Sequence, residues 1–141
     1  MTNYLLAGGG TGGHVNPLLA LAERIKKAEP ESNVFALGTV EGLESKLVPE
    51  RGFELLTIAR LPFPRNLNGY ALSFPIKFNR AVKQIQTMIS EKNIDVVVGF
   101  GGYAALPAYL ATKKRECGLV IHEANATAGL ANKVAARFAD S

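Results

Sequence analysis

Short apolar runs alternate with amphipathic stretches along the whole chain, and this alternation narrows the possible folds more than any other feature. Tyr4-Leu5-Leu6-Ala7 opens the series and runs straight into Gly8-Gly9-Gly10-Thr11-Gly12-Gly13. Further apolar runs lie at 33–37, 53–58, 95–98 and 119–121. Between them apolar residues recur at helical spacing. Leu18, Leu21, Ala22 and Ile25 share one face, as do Phe78, Val82, Ile85 and Ile89. Strands interleaved with helices pair in parallel and are covered on both faces, so their runs need no strict polar alternation. The pattern predicts a doubly wound α/β domain, Rossmann-like, with strand order 3-2-1-4-5.

The boundaries follow from local chemistry. Asn16-Pro17 reads as a cap followed by proline in the first helical position. Pro49 and Gly52 close a short helix that begins near Gly42, and residues 60–69 read as a loop rich in proline and asparagine. Pro75 starts a longer helix that ends near Glu91, and a last helix covers 128–138. A length of 141 residues suits one domain, residues 1–141, and leaves little room for two.

Composition removes several classes. No apolar run reaches 18 residues, so no transmembrane helix is expected. Met1-Thr2-Asn3-Tyr4 has no basic region, so a cleaved signal peptide is not expected. The lone Cys117 cannot form an internal disulfide, which fits a reducing compartment. A formal charge of +4 favours anionic partners such as phosphates or acidic lipid. No nucleic-acid partner is expected.

In a doubly wound fold, ligands bind outside the carboxyl ends of the strands where strand order reverses. Three unusual loops follow strands one, four and five. They are residues 8–13, residues 99–102, and His122-Glu123-Ala124-Asn125, and the topology brings them together. Five glycines in the six residues 8–13 exceed what a tight turn needs. With the following helix N-terminus, they suit a phosphate or diphosphate. Gly8, Gly10 and Gly13 match a dinucleotide-binding pattern, but strand two ends Ala36-Leu37-Gly38-Thr39, and Glu41 comes late for the acid such a site needs. His14 stands where a P-loop requires lysine, which rejects a P-loop NTPase.

His14 suits a general base or a donor to a phosphate oxygen. His122 ends a strand and reads as a satisfied structural histidine. Glu123 and Asn125 suit contacts to sugar hydroxyls or helix capping. No metal-binding spacing of His, Cys, Asp or Glu is present. Residues 61–83 interleave Leu72, Phe74 and Ile76 with Lys77 and Arg80. That mixture suits shallow insertion into an anionic bilayer surface.

Gly9-Gly10-Thr11-Gly12-Gly13-His14-Val15, Gly99-Phe100-Gly101-Gly102-Tyr103 and His122-Glu123-Ala124-Asn125 followed by Gly129-Leu130-Ala131-Asn132-Lys133 resemble the MurG family of bacterial peptidoglycan glycosyltransferases. The resemblance spans essentially the whole chain. It implies the N-terminal, acceptor-side half of a two-domain GT-B fold, with the C-terminal donor-binding domain absent from this chain. The family transfers N-acetylglucosamine from UDP-N-acetylglucosamine to an undecaprenyl-diphosphate-linked muramyl pentapeptide (lipid I), giving lipid II. The anomeric centre inverts, and no metal or other cofactor is required.

By the same resemblance, Thr11, Gly12, Gly13 and Asn125 contact the donor. Gly9, Gly10, Gly101, Gly102 and Tyr103 hold the acceptor and its diphosphate. His14 carries over as a base or a diphosphate contact and Glu123 as a weaker polar contact; since either could assist deprotonation of the acceptor hydroxyl, His14 and Glu123 are the catalytic candidates. Ala124 stands where the family commonly has glutamine. Peripheral attachment to the cytoplasmic face of the bacterial membrane, and no turnover by residues 1–141 alone, are the further expectations. The competing expectation is a non-catalytic module. It would be a membrane-recruiting subunit or a nucleotide-binding Rossmann domain that pairs with a separate chain.

Overall fold

The computed structural model describes residues 1–9, 12–62, 64, 66–113, 117–125, 127 and 129–141. Among these residues the elements are β1 (Asn3–Ala7), α1 (Gly12–Ala28), β2 (Asn33–Gly38), α2 (Glu44–Glu50), β3 (Glu54–Thr57), α3 (Gly69–Glu91), β4 (Val96–Gly99), α4 (Ala105–Thr112), β5 (Gly118–Ile121) and α5 (Leu130–Ala135). The strands form one parallel sheet in the order β3-β2-β1-β4-β5, as the pattern predicts. Ala7 pairs with Leu37 on one side and Gly99 on the other, so β1 and β4 end level and β2 runs one residue further.

Alternate strand residues feed two cores. Leu5, Leu37, Val97 and Leu119 pack under Ile85, Ile89, Ala105 and Ala108 of α3 and α4. Leu6, Ala36 and Val98 pack under Val15, Leu18, Leu19, Ala22 and Val48 of α1 and α2. Burying apolar surface on both faces is the main favourable contribution to such a fold. Cys117 is half-buried, and burial raises its thiol to about 11. No helix among the described residues is long and apolar enough to cross a membrane.

Four helices differ in their bounds from the sequence expectation; the second spans Glu44–Glu50 and contains Pro49 rather than closing at it, and local contacts account for the first and the long one. The first helix starts at Gly12, and Pro17 lies inside it. Val15 is fully buried. Its burial extends the helix N-terminally and outweighs the one donor that Pro17 lacks. The long helix starts at Gly69 because Asn68 caps it, its side-chain oxygen accepting from the Ala71 amide at 3.1 Å. Tyr70, Phe74 and Phe78 then stack at successive four-residue steps, with ring centroids 6.0 and 5.6 Å apart. Tyr70 also donates to the Pro62 carbonyl at 2.6 Å. These contacts carry the helix through Pro75. The last helix covers Leu130–Ala135, shorter than the predicted 128–138.

Candidate active site

The tips of β1, β4 and β5 converge as the topology requires. The Phe100 amide donates to the Ala7 carbonyl at 2.9 Å, and the His122 amide to the Gly99 carbonyl at 2.8 Å. Gly101 and Gly102 have φ of +94° and +92°. Side chains rarely adopt that region. A Cβ on Gly102 would also lie 2.7 Å from the Gly9 carbonyl oxygen, so the two glycine turns touch through backbone.

Gly9, His14, Gly101, Gly102, Tyr103, Glu123 and Asn125 all line one cavity of about 360 Å³. Its other walls are Leu61, Phe78, Leu106, Pro107, Gly129, Ala131 and Asn132. Gly12 and Gly13 are the first residues of α1, whose initial amides have no carbonyl partner within the helix and so make it a suitable seat for an anion. Gly10 and Thr11, assigned to acceptor and donor, lie outside the described residues.

His14 Nδ1 is 3.1 Å from the Gly9 carbonyl. A carbonyl only accepts, so Nδ1 carries the proton and Nε2 is the basic nitrogen of the neutral ring. The ring lies against Gly101, where a Cβ would stand 3.0 Å from Nε2. The histidine is thereby fixed between the two glycine turns. His122 is exposed rather than buried, with its ring tilted against Phe100 at 5.3 Å. The strand ends one residue earlier, at Ile121, and leaves it outside the core.

Glu123 is surrounded by donors. Oε1 accepts from the Asn125 amide at 2.9 Å and the Asn125 side chain at 3.0 Å. Oε2 accepts from the Gly129 amide at 3.0 Å and the Asn132 side chain at 2.9 Å. The Asn125 and Gly129 amides, followed by the side-chain amides of Asn132 and Asn125, lower its pKa from 4.5 to about 2, against a smaller opposing effect of burial. At neutral pH it is a fixed negative charge and a poor base.

Because folding favours its ionised form, Glu123 contributes stability fully above pH 4.5. That contribution is lost as pH falls towards about 2. Urea midpoints measured between pH 2 and 5 should therefore fall more steeply in the natural chain than in Glu123→Gln. Parallel curves would refute the assignment.

Behind Glu123 stands a support that sequence reasoning missed. Asn132 is buried, and its side-chain oxygen accepts from Tyr109 at 2.7 Å. Tyr109 is fully buried, and burial pushes its phenol well above the ordinary value, so it serves as a donor. The Tyr109 ring lies over Gly99, where any Cβ would collide with it. The signal for Asn132 was its place within the third motif. No local signal marked Tyr109.

A buried acid, Glu44, holds the other side of the first glycine turn. Its carboxylate accepts from the Thr39 amide at 2.8 Å and the Thr39 hydroxyl at 3.2 Å. A Cβ on Gly9, Gly38 or Gly42 would run into that carboxylate. Glu41, the acid that strand two seemed to offer, is exposed.

The residues expected at the bilayer divide. Leu72 and Ile76 are 82% and 66% exposed. Phe74 packs between Tyr70 and Phe78 and against the core. Lys77 and Arg80 line a second cavity of about 570 Å³. Among the described residues, no cluster of three or more His, Cys, Asp or Glu is placed to hold a metal.

The glycosyltransferase family 28 N-terminal domain matches residues 4–141. The chain is 64% identical over 139 residues to the UDP-N-acetylglucosamine–N-acetylmuramyl-(pentapeptide) pyrophosphoryl-undecaprenol N-acetylglucosamine transferase of Clavibacter sepedonicus, covering 99% of this chain and 38% of that protein. It is 56% identical over 138 residues to the enzyme of the same name from Leifsonia xyli subsp. xyli, covering 98% of this chain and 38% of that protein. The crystal structure of MurG from Acinetobacter baumannii superposes with a TM-score of 0.86 at 31% identity, covering 99% of this chain and 40% of that one. The chain thus spans about two fifths of the length of these relatives.

Proposed function

The chain belongs to the glycosyltransferase family 28 N-terminal domain family, and on that premise we propose that it is the acceptor-binding part of an inverting N-acetylglucosaminyltransferase. The donor is UDP-N-acetylglucosamine, and the acceptor is an undecaprenyl-diphosphate-linked muramyl pentapeptide. The observation that carries this reading is the single cavity where both glycine turns, His14 and the Glu123–Asn125 turn meet. Backbone amides of the positive-φ turn at Gly101 and Gly102 hold the acceptor diphosphate, and those of the α1 start face the donor.

In the reaction, an acceptor hydroxyl attacks the anomeric carbon and its proton passes to His14 Nε2. The bond from that carbon to the UDP oxygen breaks, and UDP leaves with the electron pair. Attack from the face opposite the leaving group inverts the centre. Glu123 keeps the Asn125 turn in shape and does not take the proton. Donor contacts beyond Gly12, Gly13 and Asn125 fall to a second domain.

Leu72 and Ile76 form the bilayer contact, on a face of α3 that is turned away from the core. The protein is then peripheral at the cytoplasmic face of the membrane. Substituting both residues by serine should abolish sedimentation with vesicles containing anionic lipid. Unchanged sedimentation would remove this face from the membrane contact.

The main test is titration calorimetry with a soluble short-chain prenyl diphosphate. Saturable binding, weakened about tenfold or more by Gly102→Ala, supports the acceptor reading. Binding of NAD with no response to the prenyl diphosphate would favour a nucleotide-binding module.

A further inference from the structure

Beside the first cavity lies the second, and nothing in the proposed reaction uses it. It sits at the carboxyl ends of β2 and β3, closed on one side by α3. Arg60, Lys77 and Arg80 line it, with Glu41 as its acid. Among the described residues the ion pairs are Arg51 with Glu23 and Lys92 with Glu54, so none of these three cations is neutralised by a carboxylate. Three such charges around one concavity make a seat for an anionic group.

The two cavities are joined. Leu61 lines both. Arg60 lies over the Tyr103 ring, 4.9 Å from its centroid, and its Nη2 donates to the Tyr103 hydroxyl at 3.5 Å. Tyr103 belongs to the first cavity and Arg60 to the second, so a ligand held by the glycine turns has the cationic seat next to it.

We infer that this second cavity receives the peptide of the acceptor, with Lys77 and Arg80 binding a peptide carboxylate and Arg60 bridging to the sugar diphosphate seat. The inference rests on the acceptor reading above. A pentapeptide joined to muramic acid through its N-terminus ends in a free carboxylate. Five extended residues reach about 17 Å, enough to pass from one cavity into its neighbour. A volume of about 570 Å³ suits a peptide end rather than a lone phosphate. Glu41 gives the wall both signs of charge, which suits a peptide with N–H groups better than a uniformly anionic bilayer. Leu72 and Ile76, the side chains placed to meet lipid, line neither cavity.

The test is a cycle of two ligands and two proteins, read by calorimetry on the 141-residue chain. The ligands are a soluble short-prenyl diphosphate muramyl pentapeptide and the same molecule with its terminal carboxylate amidated. The proteins are the natural chain and K77Q/R80Q, whose substitutions lie on the exposed surface of α3. Amidation should weaken binding to the natural chain about tenfold and leave K77Q/R80Q unaffected. A double variant that binds both ligands as the natural chain does, or weakens both equally, would overturn the inference. Loss of binding to anionic vesicles with a flat cycle would also overturn it and give the cations to lipid headgroups. Short-prenyl diphosphate without the muramyl peptide separates the two failures. If it binds both proteins equally, the acceptor reading stands alone. If no diphosphate binds either protein, that reading and this inference fall together.

Discussion

Gly99→Ala should destabilise the domain by about 3 kcal/mol, because it forces a methyl group into a filled space. The position is in the centre of the sheet, paired with Ala7 and Ile121. The added carbon would overlap the ring of Tyr109, an α4 side chain that is fully buried between α4 and the sheet and has nowhere to move. Displacing that ring also breaks the Tyr109 bond to Asn132, leaving a buried acceptor without its donor. For a domain of this size the thermal midpoint should fall by about 10 °C. Gly99→Ala combined with Tyr109→Leu should recover part of the loss, because it removes the overlap. A single variant that melts with the natural chain would show that the ring does not lie over Gly99.

His14→Ala, made in the proposed transferase with its donor-binding domain, should lower kcat by about 100- to 1,000-fold with KM changed about threefold or less. The reason is the tautomer. The Gly9 carbonyl fixes a proton on Nδ1, which makes Nε2 the nitrogen that can accept one. The loss should fall on the chemical step rather than on acceptor binding, because the proposed reading gives the diphosphate to backbone amides. A kcat close to that of the natural enzyme would remove His14 from the catalytic role. A kcat preserved with a large rise in KM would make it a diphosphate contact instead.

The sheet was legible because its signal is long-range and redundant. Five apolar runs, each followed by a helix, admit few arrangements, and the strand order followed from connection rules. The meeting of the glycine turns was legible for the same reason, since β1 and β4 must be neighbours at the switch point. What the sequence hid was decided by tertiary contacts. Pro17 and Pro75 read as helix starts, yet burial of Val15 and the Tyr70–Phe74–Phe78 stack pull both helices past them.

Phe74 reads like its neighbours Leu72 and Ile76 in composition, and only packing separates it from them. Glu123 reads as a reactive carboxylate. The donors that lower its pKa come from Asn125, Gly129 and Asn132, and no spacing rule announces that convergence. The cationic cavity draws its walls from the loop after β2, the end of β3 with the loop that follows it, and α3, which are separated in the chain and adjacent in space.

The crowding around Glu44 has a consequence for how such a sequence can drift. Gly9, Gly38 and Gly42 each face the same carboxylate with no room for a methyl group. Mutational histories at these four positions are therefore tied together. An alanine at Gly38 or Gly42 becomes tolerable only after the acid is shortened, Gly9 is held in addition by its φ of +155°, and a shortened acid gives up its grip on Thr39. The route from one workable combination to another passes through a weakened intermediate, so the quartet should be replaced together or not at all.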